Sequence, residues 1–127
     1  MLARIRLKEE KIMTKRFELG ETAKELIWKC VELGATAIRD EDDLIFEKAG
    51  VVLVVSLRDD RYFAGGVCSK TDFEELLAER EEYNKKDNYF PFRLGWRIYD
   101  LKKAGSYNHD WTISEALSAF KYHLGVK

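Results

Sequence analysis

Arg93 and Arg97 stand four residues apart in the stretch "NYFPFRLGWRIYDLKKAGSYNHDW", which spans residues 88–111. A guanidinium is a planar fork that donates two parallel hydrogen bonds, a match for phosphate or carboxylate. Seven of the chain's sixteen aromatic residues and its single proline lie in the same stretch. Tyr99, Tyr89 and Trp111 are therefore candidates to stack on a flat ring, with Lys102, Lys103 and Asn108 to help position it. The chemistry expected of this set is non-covalent capture of an anionic, nucleotide-like small molecule, with rings stacking on the ligand or across a subunit interface. The bland reading of the same residues is a half-buried strand whose aromatics are core and whose arginines are solvated.

Two further sets carry weaker signals. Cys68 precedes an expected helix start, where backbone N–H groups favour a thiolate, and His109 and Asp110 would complete a cysteine–histidine–acid set. Adjacent His–Asp spacing is no motif of that chemistry, so Cys68 reads first as a small apolar residue. No metal or cofactor is expected. His109, His123 and the cysteines lack paired metal-ligand spacing, and "DEDD" (40–43) lacks the spacing of a calcium loop. His123 is explained by its place in the last turn of a helix, where a cation is favoured. The rival to a ligand site is an acidic helix, "DFEELLAEREE". Its Glu74, Glu75, Glu81 and Glu82 would meet a basic protein surface, as in an inhibitor or adaptor of the immunity or anti-defence type. An enzyme using Cys68 or His109 ranks third.

The charge is segregated behind a net value of −1. Residues 1–17 and 83–105 each carry six basic and two acidic side chains, whereas residues 70–82 carry two basic and six acidic. That balance disfavours a polybasic nucleic-acid coat, permits a local anion site and suits a homo-oligomer of opposite patches. With 127 residues, 46% hydrophobic, the chain is one domain able to bury a core without staples. No apolar run reaches the roughly 20 residues that span a bilayer. A soluble, cytoplasmic protein with free Cys30 and Cys68 is the expectation.

The positioning elements follow from periodicity. Residues 1–12 alternate as an edge strand or arm, or precede an alternative start at Met13. "ETAKELIWKCVELG" has helical spacing through Leu26, Ile27, Cys30 and Val31, with Thr22 and Glu25 spaced as a capping box and Gly34 as its stop. Trp28 falls off that stripe. "ATAIR", "LIFEK", "VVLVVSL" and "RYFAGGVC" read as strands, the third central because it is apolar on both faces. The paired glycines of the fourth predict a bulge or a close backbone approach. "TDFEELLAEREEY" reads as a helix capped by Thr71 and Glu74 with a narrow stripe of Phe73, Leu76, Leu77 and Tyr83. Phe92, Leu94, Trp96 and Ile98 alternate with polar neighbours, which predicts a strand with Arg93, Arg97 and Tyr99 on its outer face. "GSYNHD" reads as a loop, and Thr112 with Glu115 opens a last helix through Ile113, Ala116, Leu117, Phe120 and Leu124. The class is α+β: a single domain over 1–127 with a mainly antiparallel sheet of four to five strands. Three helices pack mostly on one face, in the order α-β-β-β-(β)-α-β-α, and the crossover could make the last strand parallel.

The order helix–three strands–helix–strand resembles the core of restriction-endonuclease-like nucleases. That resemblance would give Asp43 the place of the family's first metal-binding aspartate. The third strand, "VVLVVSL", carries no acid or lysine, so the likeness covers topology and leaves out the metal chemistry. The helix–three strands–helix segment is superficially similar to double-stranded-RNA-binding domains, but its second helix is acidic where those are lysine-rich, which excludes that function.

Overall fold

A computed structural model describes residues 20–59, 61–101 and 105–125. The readings made for residues 1–12, for a start at Met13 and for Lys102 and Lys103 lie outside them. The elements run α1 (Glu21–Glu32), β1 (Thr36–Asp40), β2 (Asp43–Lys48), β3 (Val51–Leu57), β4 (Phe63–Ser69), α2 (Lys70–Asn84), α3 (Leu94–Leu101), β5 (Ser106–Trp111) and α4 (Ile113–Leu124). The class is α+β as expected, with five strands in the spatial order β1-β2-β3-β4-β5. Every neighbouring pair is antiparallel, including β4 with β5. No helix among the described residues is long and apolar enough to cross a membrane.

The three central strands, β2, β3 and β4, pack on both faces because their runs of buried residues leave little polar alternation. Leu44, Phe46, Leu53, Val55, Phe63, Val67 and Trp111 form one core with Ala23, Leu26, Ile27 and Cys30 of α1 and Ala116 and Phe120 of α4. Ile45, Val52, Val54 and Cys68 point the other way, onto Leu76 of α2 and Leu94 and Ile98 of α3. The expectation that the helices sit mostly on one face is thereby corrected: two cover each face. A doubly apolar "VVLVVSL" needs cover on both sides, since each large side chain left in water forfeits about 1.5–3 kcal/mol.

Two segments trade places with the sequence reading. Residues 94–101 are helical, not a strand, because Leu94, Ile98 and Leu101 also fit the helical period and pack on one side against the sheet. Residues 106–111, read as a loop, pair with β4 as an edge strand. The order that resembled the nuclease core is therefore not the order of this chain.

Small residues let α3 lie close. A Cβ built on Gly95 would come within 2.2 Å of the Ser56 nitrogen and 2.3 Å of the Ala64 carbonyl oxygen. Both are backbone atoms that cannot give way. The β4 glycines act as expected: the register with β5 shifts between Phe63 and Gly65, and a Cβ on Gly65 would lie 2.0 Å from the Val54 carbonyl oxygen. The β2–β3 turn, Ala49–Gly50, has both φ angles positive, as a two-residue hairpin turn matching strand twist requires.

Candidate functional site

The strongest polar feature of the interior fixes α3. Asp43 and Ser56 are direct cross-strand partners on β2 and β3, and both side chains face α3. The first turn of a helix leaves backbone N–H groups without partners. Here the sheet supplies them: Leu94 N donates to Asp43 Oδ2 at 2.9 Å, and Gly95 N donates to Ser56 Oγ at 2.8 Å. Ser56 Oγ in turn donates to Asp43 Oδ1. Asp43 is only 2% exposed. Burial pushes its pKa up to about 6, and the bonds from Ser56 and Leu94 together with the nearby Arg93 charge pull against that rise. This is not the metal-holding aspartate of a nuclease; both carboxylate oxygens are occupied by the helix it anchors and by Ser56.

The acidic turn around residue 41 is neutralised by arginines. Arg80 of α2 reaches Asp40 at 2.5 Å. Arg93 reaches Glu41 at 3.0 Å and Asp42 at 3.1 Å. Buried Arg39 donates from Nε to the Glu41 carbonyl, which helps hold Glu41 at its positive φ of 57°. Arg93 thus ties α3 to the β1–β2 turn. Arg97, one turn on, donates from Nε and Nη2 to a single oxygen of Glu79 at 2.9 and 2.5 Å, which raises its pKa further.

Both arginines line a groove of about 780 Å³ between α2 and α3, with Lys86 beside them and Tyr83, Phe92 and Trp96 as its aromatic surface. Tyr83 and Phe92 meet edge to face, centroids 5.2 Å apart. The loop into α3 is held by Tyr83 OH donating to the Phe90 carbonyl at 2.6 Å, and by Asn88 Nδ2 donating to the Tyr83 carbonyl at 2.5 Å.

The other expected site residues are scattered. Tyr99 lies off this groove, its ring 6.2 Å from Trp96, 6.1 Å from Tyr107 and 5.3 Å from His109. A helical turn, unlike a strand, sends residues 97 and 99 in different directions. Tyr89 is 92% exposed and lines an adjoining recess. Asn108 is on β5, its Oδ1 accepting from Asp110 N at 3.0 Å. Trp111 is 6% exposed within the α1/α4 core, so it presents no face to a ligand. Glu74, Glu75, Glu81 and Glu82 are exposed on α2. Groove residues that the strand reading missed are Tyr83, Lys86 and Glu79, with Phe92 and Trp96 assigned to the core; the spacing of Leu94, Ile98 and Leu101 was the signal that would have brought them in.

The cysteine–histidine–acid set does not assemble. Asp110 pairs with Arg58 rather than with His109, and burial pushes the Cys68 thiol up to about 12, the wrong direction for a nucleophile. Among the described residues no three His, Cys, Asp or Glu side chains converge as a metal site.

No protein-family model matches the chain, and neither a curated protein nor a solved structure is significantly similar to it.

Proposed function

We propose that the chain is a non-catalytic binding protein that senses or sequesters an anionic, nucleotide-like small molecule in the groove between α2 and α3. One observation supports this reading above the others: Arg93 and Arg97 meet the aromatic rings of Phe92 and Trp96 in a single groove of ligand size. A planar ring would lie against Trp96 or Phe92. The anionic group would be received by Arg97 and by Lys86, which makes no ion pair among the described residues. Arg97 arrives already paired with Glu79, so the ligand's anion replaces a carboxylate that is in place. Capture is then an exchange of anions, and its strength falls as salt rises.

The test is thermal denaturation against a panel of mono-, di- and cyclic nucleotides, followed through tryptophan fluorescence. A binder raises the melting temperature by mass action, and Arg97→Ala removes that rise while the unliganded protein still folds. No shift with any nucleotide would overturn the reading.

A second reading rests on α2. The helix fully buries only Leu76 and leaves Asp72, Glu74, Glu75, Glu81 and Glu82 exposed. Such a face suits a basic protein partner, and an inhibitor or adaptor of that kind would lose its partner on charge reversal at Glu74, Glu75, Glu81 and Glu82 but not in Arg97→Ala.

A further inference from the structure

The space between α2 and α3 does not end at Arg97. Beyond the Arg97–Glu79 bridge lies a second cavity of about 260 Å³, whose floor is Leu76, Ile98, Leu101 and Cys68 and whose rim is Asp72, Glu75 and Glu79. Glu79 lines both spaces, so the ion pair is a shared wall with its positive side toward the aromatic groove.

Three observations define what would fit. First, Asp72 and Glu75 form no ion pair among the described residues, although salt bridges are frequent elsewhere on this face. Second, the walls below them are aliphatic, which selects an alkyl group over a hydrated ion. The carboxylates also do not converge as a metal site does. Third, Cys68 opens onto the cavity, is 7% exposed and makes no side-chain hydrogen bond with the described residues. Its neutral sulfur offers a weak acceptor that no donor among the described residues uses.

We infer that this cavity is a seat for a primary alkylammonium group, its chain lying on Leu76, Ile98 and Leu101 and its charged end between Asp72 and Glu75. A short apolar stem with a cationic head buries the stem and keeps the head at the rim, the way lysine side chains lie on protein surfaces. The chemistry is shared by a free diamine and by a lysine side chain. The seat goes beyond the aromatic groove and stands whether or not a nucleotide fills that groove.

Isothermal titration calorimetry of the full chain at low ionic strength tests it, with n-butylammonium, 1,5-diaminopentane and a lysine amide blocked at both backbone ends. Butan-1-ol is the uncharged control. Saturable one-to-one binding of an amine, and none of the alcohol, is expected. The Asp72→Asn/Glu75→Gln double variant should weaken it at least tenfold. Arg97→Ala should tighten it severalfold, because Glu79 is released toward the cavity; the same variant weakens a nucleotide, so the two proposals fail separately. Binding by the diamine alone marks a free amine as ligand, and binding by the lysine amide marks a protein side chain. Equal loss in a Glu81→Gln/Glu82→Gln variant, whose residues lie outside the cavity, would reduce the effect to diffuse surface charge and overturn the seat. So would unchanged affinity in the Asp72→Asn/Glu75→Gln variant.

Discussion

Asp43 carries the conflict on which the position of α3 depends. A carboxylate suits the start of a helix, where unpaired N–H groups and the helix dipole favour negative charge. Removal from water opposes that, and here it wins, since the pKa rises to about 6 from an ordinary value of 3.8. A group whose folded pKa lies above its unfolded one contributes stability that is complete below the unfolded value and is lost as pH climbs through the folded value. For Asp43 the window is therefore about pH 4 to 6. The loss across it is of order 3 kcal/mol, at 1.4 kcal/mol per pKa unit. Asp43→Asn keeps an acceptor for Leu94 N and cannot ionise. Urea denaturation at pH 4 and pH 7 should show the variant gaining on the parent by about that amount between the two. A constant difference between variant and parent would mean that Asp43 does not titrate in this window. Arg93 and Asp40 act on the same carboxyl with opposite signs, so Arg93→Ala should move the window upward.

At the scale of elements, three Thr-x-x-Glu pairs look alike in the sequence, and the structure separates them. Thr112 and Glu115 form the reciprocal box at α4, with Glu115 N donating to Thr112 Oγ1 at 3.2 Å and Thr112 N to Glu115 Oε1 at 3.0 Å. Thr22 lies inside α1, whose N-cap is Gly20 with no side-chain bond. At α2 the cap is Ser69, accepting from Asp72 N at 3.1 Å, so the helix starts before Thr71. Thr112→Ala should consequently cost about 1 kcal/mol by chemical denaturation, and Thr22→Ala and Thr71→Ala much less. The helix-start signal was clear where the threonine directly preceded the apolar run, and ambiguous where a residue two positions earlier, Gly20 or Ser69, could also cap. The same ambiguity explains the exchange of helix and strand over 92–111. Leu94 and Ile98 satisfy both periods, and only Leu101, with the arginines one turn apart, tips the balance to a helix. "SYNHDW" lacks the β-branched residues that mark a strand, and its conformation comes from pairing to β4. The candidate site was legible in its arginines, whose side chains do share a groove. It was not legible in Tyr99, which the helix turns toward Tyr107 and His109, or in Trp111, which β5 carries into the α1/α4 core.

The whole molecule is a meander of strands with one helical layer on each face, and the layers are unequally secured. The α1/α4 side buries Ala23, Leu26, Ile27, Cys30, Ala116 and Phe120 against the sheet, whereas the α2/α3 side buries Leu76, Leu94 and Ile98. Loss of contact costs less where fewer apolar groups are covered, so local opening should start on the α2/α3 side. That is also the side bearing the groove and the cavity, and their walls are the less firmly held of the two layers.

The two thiols turn this asymmetry into a measurable one. Cys30 sits in the α1/α4 core and Cys68 in the other, both buried and both pushed up to about 12, so each reacts slowly while its own layer is seated and faster once that layer lifts. The protein therefore carries a native clock on each side of its sheet. Timed alkylation under native conditions, read by mass spectrometry of the peptides, should mark Cys68 first. A nucleotide or an alkylammonium that bridges α2 and α3 should slow that clock alone. Equal rates for both thiols would show that the layers part from the sheet only together.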